Sequence, residues 1–300
     1  MAAMIDKHQR ALDLGPPRII IAGGSNIAFN IDSEKVQQEL NLPTVNLGLN
    51  IGLGIHYILN EIEDIAQEGD IIFLFPTWFT GLTGTYNLQK HTVNHFPKSS
   101  KYFRFNLHEE LKIHAERTRN HVRNIIVSLI INRSINRAPK VAAPLEGMYS
   151  RDNFNEFGDF EGHHDESPPE DLGQRLIYEY KYWEGISVLN GFYNKMMDRG
   201  IHMFYFFPAY PKKEFEKNRS ALENFRNDLK NDLKIPQIIE PDAFLFSEDL
   251  FFDTTFHLNK EGRKLRTEIL IEHLHSNADF NALVNELVNK RSIDNNEHKP

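Results

Sequence analysis

Residues 18–26 read Arg18-Ile19-Ile20-Ile21-Ala22-Gly23-Gly24-Ser25-Asn26. An apolar, β-branched run this short, stopped by a glycine pair, predicts a strand buried on both faces, at 18–22. Working outward, 33–40 has helical spacing with Asp32 or Ser33 as its N-cap. A second short strand is predicted at 43–47. Apolar residues Ile55, Ile58, Leu59, Ile62 and Ile65 recur at helical intervals across 54–67. A third strand, apolar throughout, is predicted at 70–75. The first quarter of the chain therefore alternates β-α-β-α-β, which predicts a parallel sheet with right-handed crossovers.

Further along, 77–100 is irregular and rich in Gly, Thr and aromatics, 107–137 reads as a long helix, and 138–171 as a loop. Helix is expected at 172–199, strand at 202–207, a charged amphipathic helix at 211–233, a fifth strand at 236–239, and helices at 259–275 and 280–288. The fold class expected is α/β: a three-layer α/β/α sandwich on a parallel sheet of about five strands, with a helical insertion. One domain over 1–290, interrupted at about 77–172 and followed by a solvated tail at 291–300, accounts for the chain. The fold itself is expected to begin at Pro17.

Composition excludes several classes of function. The net charge is −8, which argues against nucleic-acid binding, since that needs a basic face. There is no cysteine, so disulfides, thiolate metal sites and cysteine nucleophiles are ruled out. No apolar run is long enough to span a bilayer, and the opening Met-Ala-Ala-Met-Ile-Asp-Lys-His has no signal-peptide core. As written the chain reads as cytoplasmic with no integral membrane segment; the cell envelope is the alternative if a leader or anchor precedes it.

Chemistry is concentrated at two places. Gly23, Gly24 and Ser25 end the first strand, and ligands of open parallel sheets sit at the carboxyl ends of strands. Near the other end, Asp253-Thr-Thr-Phe-His257-Leu-Asn-Lys-Glu-Gly262 sets a carboxylate and an imidazole together just before a helix. A serine nucleophile needs a base to take its proton and a third group to orient that base. Ser25, His257 and Asp253 are the catalytic candidates. Gly48 follows the second strand and offers a backbone N–H. With the backbone N–H of Ser25, residues Gly24, Asn26 and Thr77 complete the candidate oxyanion or substrate-binding set.

These motifs resemble the SGNH (GDSL-like) hydrolase superfamily. Gly24-Ser25 sits where that family keeps its nucleophile, Gly48 matches its oxyanion glycine, and Asp253 and His257 match its acid and base. His257-Leu258-Asn259-Lys260-Glu261-Gly262 is similar to the family's run into its last helix. Within the superfamily the chain looks most like the divergent bacterial branch associated with envelope or polysaccharide O-acylation; Asn-Phe-Asn-Glu-Phe-Gly-Asp at 153–159 also looks like an insertion motif of that branch. Two departures stand out. The family's Asn after the third strand is missing from Phe73-Leu74-Phe75-Pro76-Thr77-Trp78, leaving Thr77 or Asn26 as the donor. Three residues, not two, separate Asp253 from His257.

The resemblance implies a flavodoxin-like SGNH fold and a serine-dependent esterase or O-acyltransferase. Its substrate would be an acylated carbohydrate or other small ester, with no metal or organic cofactor. The alternative is a non-catalytic protein of the same fold that binds a glycan or a protein partner in the same cleft. Other readings are weaker. Gly23-Gly24-Ser25 lacks the spacing of a phosphate-binding loop. Glu161-Gly-His163-His164-Asp165-Glu166 has ligand-type residues but reads as a solvated loop rather than a metal site. Arg117, Arg119, Arg123, Arg133 and Arg137 read as a solvated helix face. Trp78, Phe79, Tyr86 and Tyr102 are suited equally to stacking on sugars and to filling the core.

Overall fold

Helix α1, Met4–Leu14, precedes the first strand and turns Met4, Lys7 and Ala11 inward. The fold thus starts earlier than the sequence suggests, because a lysine on the inner face hides the helical stripe. The computed structural model describes residues 1–134, 149–164, 172 and 179–297. Gly15, with φ +59°, and the Pro16-Pro17 pair turn the chain into β1, Ile19–Gly23.

The order continues with α2 (Ser25–Asn30), α3 (Ser33–Leu40), β2 (Thr44–Asn46), α4 (Ile55–Ile65) and β3 (Ile71–Phe75). Next come α5 (Tyr86–His95), α6 (Leu107–Ser134), α7 (Gly185–Met197), β4 (His202–Tyr205) and β5 (Tyr210–Pro211). The chain closes with α8 (Lys212–Lys217), α9 (Arg219–Asp232), β6 (Leu245–Phe246), α10 (Lys260–Ser276) and α11 (Ala278–Glu297). Asp32 caps α3, its carboxylate accepting from the Lys35 N–H at 3.0 Å.

The main sheet has four parallel strands in the order β2-β1-β3-β4. Both β1 and β3 are buried at every position, which is why they read as unbroken apolar runs. The helices fall into two groups: α4 packs on α1 and α7, and α10 packs on α2, α3 and α11. The chain leaves β1 toward β2 on one side and returns to β3 on the other. A crevice therefore opens at the carboxyl end of β1, where Ser25 lies. At the opposite end of the strands Arg18 and Asp70 form a fully buried ion pair, 3.2 Å apart.

Several expectations are corrected. The sheet has four strands, not about five. The predicted strand at 236–239 is reduced to one parallel bridge, Tyr205 to Gln237, beside Pro236, which has no N–H to extend a ladder. A separate two-stranded parallel ribbon pairs β5 with β6. The helix predicted over 211–233 breaks at Asn218 into α8 and α9. The helix predicted over 172–199 begins only at Gly185 within the described residues. Helix α11 runs to Glu297, through most of the expected tail. Trp78 and Tyr102 are buried in the core, not presented as platforms. On α6, Val122, Ile125 and Ile126 are exposed, whereas their apolar run suggests packing on the core. The parts of the 138–171 loop at 138–148 and 165–171 lie outside the described residues.

Candidate active site

Two glycines bring the nucleophile turn close to its neighbours. A Cβ on Gly23 would stand 2.5 Å from the Phe75 carbonyl oxygen. A Cβ on Gly24 would stand 2.5 Å from the Ile51 Cβ and 2.9 Å from its Cα and N. Only glycine permits this approach of backbone to backbone. The chain then enters α2, and Ser25, its first residue, is left 8% exposed.

The loop before α10 brings the other two candidates. Phe251 and Leu258 form an antiparallel bridge, and the Phe252 N–H donates to the His257 carbonyl at 2.8 Å. This closes a tight loop with Asp253 and His257 on it. His257 Nδ1 lies 2.6 Å from Asp253 Oδ1, and His257 Nε2 lies 2.8 Å from Ser25 Oγ. Ser25 and His257 are 232 positions apart in sequence. A carboxylate can only accept, so Nδ1 carries the proton and Nε2 is left to accept from the serine hydroxyl. The one extra residue between Asp253 and His257 is absorbed by the loop.

Helix α2 does more than carry the serine. Asn30 Nδ2 donates to the Phe256 carbonyl at 2.7 Å, and Asn30 Oδ1 accepts from the Leu258 N–H at 2.7 Å. One buried amide thus holds the backbone on both sides of His257. Phe29, one turn after Ser25, lies flat against the His257 ring. Phe29 belongs to a small cluster with Ala28, Phe160 and Phe252. His163 joins it: its Nε2–H donates to the Leu258 carbonyl at 3.1 Å, and its ring packs on Phe29, Phe160 and Phe252. Burial, with His164 beside it, pushes the His163 pKa down to about 4, so the ring is neutral at pH 7. The 161–166 motif is therefore not simply solvated, since His163 is buried; Asp165 and Glu166 lie outside the described residues. Among the described residues no cluster of ligand-type side chains could hold a metal.

The expected oxyanion donors are arranged otherwise. The Gly48 N–H donates to Asn46 Oδ1 at 2.8 Å. The Gly24 N–H donates to Asn26 Oδ1 at 3.1 Å, and Asn26 Nδ2 donates to the Phe75 carbonyl at 3.1 Å. The Thr77 hydroxyl pairs with that of Thr80 at 3.0 Å. Gly24, Asn26, Gly48 and Thr77 thus use these polar groups to shape their own loops. Two other residues face the serine. The Tyr149 hydroxyl lies beside Ser25, and Asn50 Nδ2 donates to it at 3.3 Å. Asn50 Oδ1 accepts from the Gly52 N–H at 2.9 Å.

The loop that bears Gly48 and Asn50 is anchored from below. Lys7 Nζ donates to the carbonyls of Asn46 at 3.0 Å and Gly48 at 2.7 Å, and also to that of Gly158. Asp159, fully buried, accepts from Ser33, from Asn46 Nδ2 at 2.7 Å and from Arg263 at 3.0 Å. The 153–159 motif is thereby tied to α3, β2 and α10. Chemically, the site presents a serine hydroxyl with an oriented base, the arrangement required for nucleophilic acyl transfer. No family model matches the chain, and no curated protein does.

Proposed function

We propose that the protein is a serine-dependent esterase or O-acyltransferase of the SGNH type. Its substrate is an acylated carbohydrate or a similar small ester. The observation that carries this reading is the Ser25–His257–Asp253 chain of contacts, 2.8 and 2.6 Å long, at the carboxyl end of β1. The four-stranded parallel sheet, with helices in two groups, is in keeping with the three-layer sandwich of that superfamily.

Ser25 Oγ attacks the ester carbonyl while His257 Nε2 takes its proton. Asp253 holds the imidazole and stabilises its cation. The C=O electron pair moves onto oxygen, then returns and expels the alkoxide, which His257 protonates. Water or a sugar hydroxyl, deprotonated by His257, releases the acyl group from Ser25. The first acceptor makes the protein a hydrolase and the second a transferase. Neither route calls for a metal or a redox group.

Hydrolysis of p-nitrophenyl acetate and butyrate by wild type, Ser25→Ala and Asp253→Asn tests the reading. Wild type turns over, Ser25→Ala falls to background, and Asp253→Asn loses about 10⁴ in rate through loss of the productive tautomer. Equal rates in wild type and Ser25→Ala would shift the assignment to a binding protein of the same fold.

A further inference from the structure

Acyl transfer needs donors aimed at the oxygen that becomes charged, and each is worth about 10²–10³ in rate. The Gly48 N–H and the Thr77 hydroxyl are engaged by Asn46 and Thr80, and one Asn26 N–H is given to the Phe75 carbonyl. We propose that the Tyr149 hydroxyl is an oxyanion donor of this site, oriented by Asn50. The inference rests on the acyl-transfer reading above.

Geometry carries it. The Tyr149 hydroxyl is held by Asn50, next in sequence to Ile51, against which Gly24 packs beside Ser25, and it lies near Ser25. Asn50 Nδ2 donates to the phenol oxygen, which occupies a lone pair and leaves the phenol proton for the serine side. Asn50 is itself fixed by the Gly52 N–H at 2.9 Å. The Tyr149 ring lies against Phe154, with centroids 6.4 Å apart and planes at 27°. Phe154 in turn meets Phe160 edge-on at 5.3 Å, within the cluster under His257. Nucleophile, base and phenol thus share one aromatic support. Burial raises the Tyr149 pKa, so the hydroxyl remains a donor at neutral pH.

At rest the Ser25 proton points to His257, and the Tyr149 hydroxyl stands beside Ser25 with its own proton unclaimed by Asn50. On attack a lone pair of Ser25 Oγ becomes the new C–O bond. The carbonyl π pair becomes the oxyanion, and Tyr149 O–H re-aims to it. Tyr149 keeps its proton throughout, since the serine proton travels by way of His257 to the leaving alcohol. An insertion residue thereby takes the place of an amide after the third strand.

The test is the rate at which an alkyl fluorophosphonate labels Ser25, because its phosphoryl oxygen takes the oxyanion position and no acceptor is needed. Wild type labels, Ser25→Ala does not, and Tyr149→Phe labels about 100-fold more slowly. For ester turnover the Tyr149→Phe loss falls on kcat, with KM within about threefold. Asn50→Ala keeps the hydroxyl but removes its anchor and loses about tenfold in labelling, a check independent of the folding of Tyr149→Phe. No labelling of wild type overturns the acyl-transfer reading itself. Labelling of wild type matched within threefold by a folded Tyr149→Phe, or by Asn50→Ala, overturns only the role of Tyr149.

Discussion

The imidazole of His257 lies parallel to the ring of Phe29, with centroids 4.1 Å apart and planes within 6°. Phe29 is four residues after Ser25 on α2, so one helical turn separates Ser25 from the surface that supports His257. Phe29→Ala removes that surface and leaves a cavity. The expected cost is about 3–5 kcal/mol in stability, measured by urea denaturation. Phe29→Leu keeps most of the volume and the fold but not the flat face, and is expected to lose about tenfold in ester turnover. Full activity in a folded Phe29→Leu would show that packing volume alone positions the imidazole.

Asn30 supports the same base through backbone. Its amide spans the Phe256 carbonyl and the Leu258 N–H, and Leu258 is fully buried. Asn30→Ala strands the buried Leu258 N–H, at a cost of about 1–3 kcal/mol. Amide hydrogen exchange gives the direct reading: the Leu258 N–H should exchange faster in the variant, while amides of β1 and β3 keep their protection. Unchanged exchange at Leu258 would mean that Asn30 does not hold this loop.

Gly24 sets the distance between the turn that carries Ser25 and the turn that carries Asn50. The methyl of Gly24→Ala would meet backbone and Cβ atoms of Ile51, which cannot swing aside. The two turns must part, drawing Asn50 from the serine. Turnover is expected to fall by at least about 10², with only a modest fall in melting temperature. A Gly24→Ala chain with near wild-type turnover would show that this close approach is dispensable.

What was legible in the sequence was local. The apolar runs of β1 and β3 announce buried parallel strands because both faces are covered. Asp253 and His257 were legible as a pair because they sit in one loop before a capped helix. Side chains that take up nearby backbone N–H groups were less plain. Asn46 takes the Gly48 N–H, and Asn50 takes the Gly52 N–H, each two residues on. This is the Asx-turn pattern, and the two Asn-x-Gly spacings were its visible signal. Tyr149 has no such signal, since it reaches Ser25 from 124 positions away by tertiary packing. Helix α1 was concealed by Lys7, a cation on the face that a periodicity argument assigns to apolar residues.

Lys7 also gives the protein a pH dependence of defined sign. Its ammonium is buried among the carbonyls of Asn46, Gly48 and Gly158, and desolvation lowers its pKa to about 7 despite the opposing pull of Asp159 and Glu61. The unfolded chain keeps a value of about 10.4. Below pH 7 both states hold the proton, and the cost of burying the charge is fully present. Between about pH 7 and 10 the unfolded state holds more protons than the folded one, so unfolding free energy rises with pH, by at most about 1.4 kcal/mol per unit. Lys7→Met removes the titration and adds a pH-independent offset from the abandoned carbonyls. The stability of wild type minus that of Lys7→Met, from urea melts at pH 6, 7, 8 and 9, should be flat up to neutrality and then climb. Groups common to both proteins cancel in that difference. A difference that stays level through pH 9 would mean that Lys7 keeps an ordinary lysine pKa under the loop that bears Gly48.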